Sequence, residues 1–445
     1  MQGTLVAAQV TETGTIPAYF TTNGQGFKTA TLASLTATGT DGNLNFNTNL
    51  ALGRADHLTV SAPVSGDFVI GVNNHGVLPE TYAAPLTLLT APDASDATFH
   101  TPPDIDVGLY KYAVTTQTGD GKIGIVVTGT GAMSNSASLI NTMAGALPLS
   151  WFAELNSVTQ RMGELHMETR IDEAGLATWV RGYGQALEFN RKVNGTPFDE
   201  RQFAVEGGAD YKFGGTPHNI YAGVFFGYGE SERDYNVAGE GRNESVFGGL
   251  YETVSTKNGW YLDGVIKLNG FKNTFTAVSP TGETMTGEYH NWAAGGSLEF
   301  GKYCDVGFGW YLEPQIQGAI TAIMDSHYVT SSGMQVELRS GTTTQGRVGF
   351  MFGRIFQTGA NGLLHVYIKG HAVAQWTTNG QIYVVTPHGE HKRYTPTIKG
   401  DRLEVGAGIA WRASRRMQYF FDFETADADY YIKPWGVNFG IRCSW

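Results

Sequence analysis

The stretch "WGVNFGIRCSW" (residues 435–445) decides the fold. Every second residue belongs to one of two sets. Trp435, Val437, Phe439, Ile441, Cys443 and Trp445 make one face; Gly436, Asn438, Gly440, Arg442 and Ser444 make the other. A period of two means a strand, because successive side chains point to opposite faces. Alone, the stretch admits two readings. In a soluble sandwich the apolar face turns inward, and a terminal Trp is then left with nothing after it to cover it. In a transmembrane barrel the apolar face meets lipid, the polar face lines the lumen and aromatics mark the interfaces.

Working outward, residues 177–445 read as twelve strands, near 177–190, 199–213, 218–234, 243–255, 259–276, 286–302, 308–327, 334–357, 362–377, 394–412, 416–425 and 433–445. Two alternate most cleanly. Trp260, Leu262, Gly264, Ile266 and Leu268 oppose Tyr261, Asp263, Val265, Lys267 and Asn269; Leu364, Val366, Ile368, Ala372, Ala374 and Trp376 oppose His365, Tyr367, Lys369, His371 and Gln375. The connections alternate too. "GGTPHN", "STKNG", "QTGANG" and "ASRR" are tight, whereas "NRKVNGTPFDE", "DYNVAGEGRN", "AVSPTGETM" and "TTNGQIYVVTPHGEHKRY" are longer and mostly polar. An even strand count with short turns at one rim and long loops at the other is the pattern of a bacterial outer-membrane barrel. A soluble sandwich has no reason to sort its loops this way. The expected fold is all-β: a 12-stranded antiparallel transmembrane barrel.

Composition agrees. Charged residues are 16% of the 445, aromatics 12%, and there are 59 glycines, against roughly 25% charged in ordinary soluble proteins. A net charge of −11 argues against nucleic acid as a partner. Cys304 and Cys443 have no framework or zinc spacing. The strand count places them at the short-turn rim on strands six and twelve, on opposite sides of the ring, so two free cysteines are expected. The best apolar stretch, "SASLINTMAGALPLSWFAEL" (136–155), holds Pro148 and Glu154 and fails as a helical span. "MQGTLVAAQVTETG" lacks the basic start and apolar core of a signal peptide. The expectation is therefore a signal peptide upstream, with Met1 an added start.

Residues 1–130 carry short Gly- and Asn-punctuated strands ("LTATG", "LNFNTNLAL", "HLTVSAPVSGDFVIGV", "LTLLTA", "KIGIVV"), suiting a sandwich or the rungs of a parallel β-helix. Residues 133–168 change character. A Ser/Asn opening precedes Leu155, Val158, Met162 and Leu165 at 3–4 spacing, which predicts a helix. Small residues (Ala137, Ala144, Gly145, Ala146) suit passage through a narrow space; an amphipathic interdomain linker is the plainer reading. The expected division is 1–130 β-rich, 131–170 linker with the helix, and 171–445 barrel. A lumen lined by Asp263, Lys267, Lys369, Gln375 and Arg442 is expected to be wet and charged, holding such a helix without an apolar clamp.

Candidate chemistry is sparse. His388 and His391 in "HGEHKR" have metal-like spacing, but the stretch reads as a solvated loop without structured backbone. "TGTGAMS" (128–134) lacks the Lys of a phosphate-cradling loop and reads as a flexible joint. No G-x-S-x-G elbow is present. No metal and no cofactor are called for.

With these residues in view, the order of a β-rich stub, one helix and a twelve-strand barrel ending on an aromatic resembles the type V autotransporters of Gram-negative bacteria. "ELNSVTQRMGELH" (154–166) resembles the family's linker-helix motif at Glu154, Asn156, Arg161, Met162, Gly163, Glu164 and Leu165, departing at His166. Residues from "LTATGTDGNLNF" through "GKIGIVV" are similar to the end of a pertactin-like β-helix passenger, the segment that templates passenger folding. "WGVNFGIRCSW" resembles the terminal signal read by the barrel-assembly machinery, with Phe439, Ile441 and Trp445 carrying it. The resemblance implies a translocator that secretes its own passenger domain and displays it at the cell surface. It would be a monomer in outer-membrane lipid, partnered by the assembly machinery and periplasmic chaperones. The alternative is a surface adhesin whose β-helix is itself functional and whose barrel is an anchor. In some members an Asn at the helix position of Asn156 attacks its own peptide carbonyl and frees the passenger. Those members carry Asn-Asn and this chain Asn156-Ser157, so self-cleavage stands beside a plain pore-plugging helix.

Overall fold

Twelve long antiparallel strands follow residue 174: β1 (Gly175–Phe189), β2 (Phe198–Phe213), β3 (Asn219–Asp234), β4 (Gly239–Ser255), β5 (Trp260–Val278), β6 (Thr284–Lys302), β7 (Trp310–Ile323), β8 (Gly341–Thr358), β9 (Gly362–Asn379), β10 (Arg402–Arg412), β11 (Met417–Ala428) and β12 (Ile432–Ser444). The computed structural model describes residues 5–7, 10–12, 27–37, 42–75, 85–93, 96–166, 175–189, 195–213, 218–358, 362–387, 389, 391–396, 400–414 and 416–445. Each strand pairs with the next, and β1 pairs with β12 from Ala177↔Ser444 to Glu188↔Ile432, closing the ring. Closure satisfies backbone groups that lipid could not.

Alternation sets the two walls as expected. In β5, Leu262, Ile266 and Leu268 are exposed on the outer wall, while Asp263, Lys267 and Asn269 are buried inside. In β12, Phe439 and Ile441 point out and Asn438 and Arg442 point in. At the short-turn rim, outward rings stack between neighbouring strands: Trp260 on Phe300, Trp310 on Phe352 and Trp411 on Tyr419, with centroids 5.0, 5.1 and 5.6 Å apart. They form an interfacial aromatic girdle. Glycines on the inner wall leave room for large inward rings. A Cβ on Gly208 would fall 2.3 Å from the Val224 carbonyl oxygen and 2.7 Å from the Trp179 ring. Cys304 and Cys443 are both free.

The long-loop rim and the joint depart from expectation. The stretch 334–357 is not one strand. Gln335–Leu338 belongs to a separate sheet with Ser326–Val329, Ile382–Val385 and His391–Tyr394. This sheet buries Tyr328, Val336, Leu338, Ile382, Val384 and Tyr394, and its period of two runs on into that of β8. The end of "HGEHKR" therefore has structured backbone: His391 opens a strand paired with Ile382–Val385, while His388 lies outside the described residues. Residues 128–133 are not a flexible joint but the end of the strand Lys122–Met133, paired antiparallel with Tyr110–Gly119.

Ahead of the helix, the described residues form a parallel β-helix closed by that hairpin. Leu5 pairs with Ala30, Ala30 with Leu58 and Leu58 with Leu89, all in parallel register. A second parallel sheet stacks Gly42–Thr48 on Phe68–Asn74. Leu44, Phe46, Phe68, Ile70, Leu88 and Leu89 fill the space between them.

The expected helix is present with one interruption, as α1 (Asn135–Gly145) and α2 (Leu147–His166). Pro148 explains the break. It has no N–H to donate, and its ring crowds the carbonyl four residues back, at Ala144. No helix among the described residues is long and apolar enough to cross a membrane. Instead α2, at 20 residues, runs about 30 Å inside the ring, comparable to an apolar band of roughly 25 Å.

Candidate functional site

The site is the lumen and the helix threaded through it. Successive turns of α2 place Glu154, Ser157 and Arg161 on one face, at the i, i+3 and i+7 spacing that aligns side chains along a helix. Each meets a partner on the barrel wall. Glu154 Oε2 accepts from the Lys267 ammonium and from Asn269 Nδ2, the latter at 2.6 Å. Ser157 Oγ donates to Glu206 Oε1 at 2.6 Å. Arg161 donates to Asp210 Oδ2 at 2.6 Å. Asp210 also accepts from the Tyr251 hydroxyl at 2.9 Å and pairs with Arg442 at 3.2 Å. All of these side chains are buried. A buried charge costs several kcal/mol unless it is paired, so these partners fix both the depth and the rotation of the helix.

The opposite wall behaves differently. Arg402, Glu404, Lys433, Glu424, Lys369 and Asp422 form an ion-pair network of their own across β9–β12, and Arg347 joins it at Glu404, 2.9 Å away. From this side Arg347 donates to the Asn156 side-chain oxygen, and Gln317 donates to Thr159 Oγ1 at 3.1 Å. The ion pairs of the helix's own Glu154 and Arg161 lie on the first wall.

Against the expectation of a lumen without an apolar clamp, the wall also grips one large aromatic side chain of the helix. Trp151 is fully buried. Lys267 Nζ lies 4.6 Å from its ring centroid and 5.0 Å from that of Phe247. Gly295 makes the room: a Cβ there would fall 2.7 Å from the Trp151 ring. Above it, α1 is held at the rim. Thr142 and Tyr235 share a hydroxyl–hydroxyl bond of 2.9 Å, Arg233 donates to the Met143 carbonyl at 3.3 Å, and Asn135 Nδ2 donates to the Val278 carbonyl at 2.6 Å. Burial pushes Tyr235 up to about 12, so the phenol stays neutral.

The residues singled out from sequence fall into two groups. Glu154, Asn156 and Arg161 make wall contacts, Met162 is buried, Gly163 is half-buried, and the Glu164 side chain lies outside the described atoms. Phe439, Ile441 and Trp445 sit apart on the outer wall; the Trp445 N–H donates to the Leu176 carbonyl at 2.9 Å. Asp263, Lys267, Lys369, Gln375 and Arg442 are lumenal as expected. Glu206, Asp210, Arg347 and Trp151 were missed, although Glu206 and Asp210 alternate in phase with Gln202 and Lys212.

Comparison with known proteins bears on this arrangement directly. The family profile described as Autotransporter beta-domain matches residues 178–424, and one described as Pertactin matches residues 9–123. The pertactin autotransporter of Bordetella bronchiseptica is 26% identical over 88% of this chain and 46% of its own length. The BrkA autotransporter of Bordetella pertussis is 26% identical over 94% of this chain and 40% of its own. The chain thus spans less than half the length of these relatives. The solved β domain of Bordetella BrkA superposes with a TM-score of 0.52 at 23% identity, covering 61% of this chain and all of that one. The translocator domain of NalP from Neisseria meningitidis gives 0.51 at 15% identity, covering 66% and 98%. Both share the fold. The barrel is an outer-membrane translocator domain of the autotransporter kind, and the adhesin alternative is not favoured. A twelve-strand barrel threaded by a helix, behind a pertactin-like passenger region, places this chain in the autotransporter β-domain family.

Proposed function

We propose that this chain carries its own N-terminal passenger across the outer membrane and keeps α2 in the pore afterwards as a plug. One observation supports this above others, the direction of the helix. Its N-terminal side continues from the passenger hairpin at the long-loop rim, where Asn135 meets Val278; its C-terminal side leads into β1 at the short-turn rim. The chain between passenger and barrel therefore runs down the lumen. On this reading the parts are residues 1–130 as surface passenger, 131–170 as linker and 171–445 as translocator. The partners are outer-membrane lipid, periplasmic chaperones and the barrel-assembly machinery, with Phe439, Ile441 and Trp445 as its signal, and the unit is a monomer. The test fuses an unrelated epitope ahead of residue 27, behind a signal peptide. The epitope becomes accessible to antibody on intact cells with β1–β12 present. Equal accessibility after deletion of β12 would overturn the reading.

A narrower second reading is favoured by the surroundings of Asn156. Arg347 holds its side-chain oxygen, and the next residue, Ser157, is hydrogen-bonded to Glu206. A guanidinium on that oxygen polarises the amide. Nδ2 attacks the Asn156 backbone carbonyl carbon, closing a succinimide and breaking the Asn156–Ser157 bond; the proton released from Nδ2 leaves on the Ser157 amine. Mass spectrometry of mature protein should find a barrel fragment beginning at Ser157 that Asn156→Ala abolishes. Its absence from the wild type leaves α2 as an uncleaved plug.

A further inference from the structure

Passenger, pore helix and barrel meet at one joint. Asp106, in the strand Ile105–Val107, accepts the Asn135 N–H on Oδ2 at 2.8 Å. Ser134 Oγ accepts the Ala137 N–H at 3.2 Å and donates to the Gly108 carbonyl at 2.9 Å, while the Ser134 N–H donates to the Leu109 carbonyl at 3.1 Å. Asn135 Nδ2 completes the joint at the barrel, on the Val278 carbonyl. α1 has no acidic residue in its own first turn. Its carboxylate comes instead from the passenger, and the contact is lost whenever the hairpin lifts away.

The second oxygen of Asp106 is sealed from solvent and has no hydrogen-bond partner among the described residues. A buried carboxylate with one oxygen unmatched is costly, and the neutral acid much less so. Protonation costs the joint nothing in geometry, because Oδ2 still accepts from Asn135 while the proton sits on Oδ1. The charged groups facing Asp106 are Lys111 on the following strand, Asp104 in the preceding loop and Glu283 from the β5–β6 loop; α1 brings N–H groups but no charge.

We propose that Asp106, Ser134 and Asn135 form an acid-tightened latch that pins the passenger's last hairpin to the pore helix and the barrel rim. It stands whether or not the barrel secretes. Burial pushes Asp106 up to about 6 in the joint; the Asn135 N–H and Lys111 pull it down, and Asp104 and Glu283 raise it. A group raised on docking contributes stability that is complete below its free value of 3.8 and is lost as pH rises through about 6. Between pH 5 and 7.5 the docking constant then falls about tenfold.

Hydrogen exchange with mass spectrometry on the whole chain in detergent reads this directly, with rates corrected for intrinsic exchange. Peptides spanning 105–112 and 134–146 should open about tenfold more at pH 7.5 than at pH 5, with β5 and β6 unchanged. Asp106→Asn, a shape mimic of the neutral acid, should be equally protected at both pH values and more protected at pH 7.5 than wild type is at pH 5. Asp106→Ala should be less protected at both. Glu283→Gln should keep a pH dependence. A flat wild-type profile, or an Asp106→Asn variant that keeps the tenfold dependence, overturns the latch. If Asp106→Asn fails to give a heat-modifiable barrel, the wild-type pair of pH values decides alone.

Discussion

Glu154 and Lys267 offer the sharpest test of how the helix is held. Their side chains are 2% and 0% exposed. Glu154→Leu leaves the ammonium with Asn269 Oδ1 at 2.7 Å, the Trp151 carbonyl at 3.3 Å and the faces of Trp151 and Phe247. An uncompensated buried charge costs about 3–5 kcal/mol, and the ring faces return at most about 2. The helix should therefore lose about 1–3 kcal/mol of docking, or about five- to 150-fold in its open population. Adding Lys267→Met removes the stranded charge and should bring docking back to within about 1 kcal/mol of wild type. Single-channel recording in a planar bilayer measures this as the fraction of time the pore conducts. The mooring argument is refuted if Glu154→Leu opens the pore no more than wild type. It is equally refuted if the double variant opens it as much as the single one.

Three further outcomes follow from the same geometry. Gly208→Ala places a Cβ 2.3 Å from the Val224 carbonyl oxygen and should destabilise the barrel by about 1–3 kcal/mol, seen as a lower temperature for loss of heat-modifiable gel mobility. Gly163→Ala meets nothing within 4 Å and should stabilise α2 by about 1 kcal/mol, seen as slower amide exchange across residues 155–163. Trp445 is 73% exposed on the outer wall, so Trp445→Ser should leave unfolding of the finished barrel almost unchanged while lowering its yield in cells. Equal losses in cells and in refolding into pure lipid would remove Trp445 from the assembly signal.

The outer wall was legible in the sequence because lipid enforces a period of two. Leu262, Ile266 and Leu268, like Phe439 and Ile441, could be assigned to it from spacing alone. The loop sheet was not legible. Val336 and Leu338 alternate in the same way as β8, and the period does not say whether a strand sits in the ring or above it. Pro148 is plain in the sequence, yet the single helix expected from the 3–4 spacing runs past it. The moorings were half visible: alternation puts Glu206 and Asp210 in the lumen, but which helix turn each meets depends on strand tilt and stagger, which spacing does not encode. Trp151 was hidden for a related reason, since its slot exists through Gly295, far along the chain. Asp106 carried no signal at all; its role arises from the hairpin that brings it to Asn135.

Surface proteolysis of intact cells expressing this chain behind a signal peptide, with the surviving fragments mapped by mass spectrometry, tests the central claim most directly. The account expects residues 1–115 to be shaved away while α2 and the barrel strands survive, with cuts confined to the long-loop rim. A passenger region fully protected on intact cells, and cut only after the outer membrane is opened, would leave the barrel standing and contradict secretion through it.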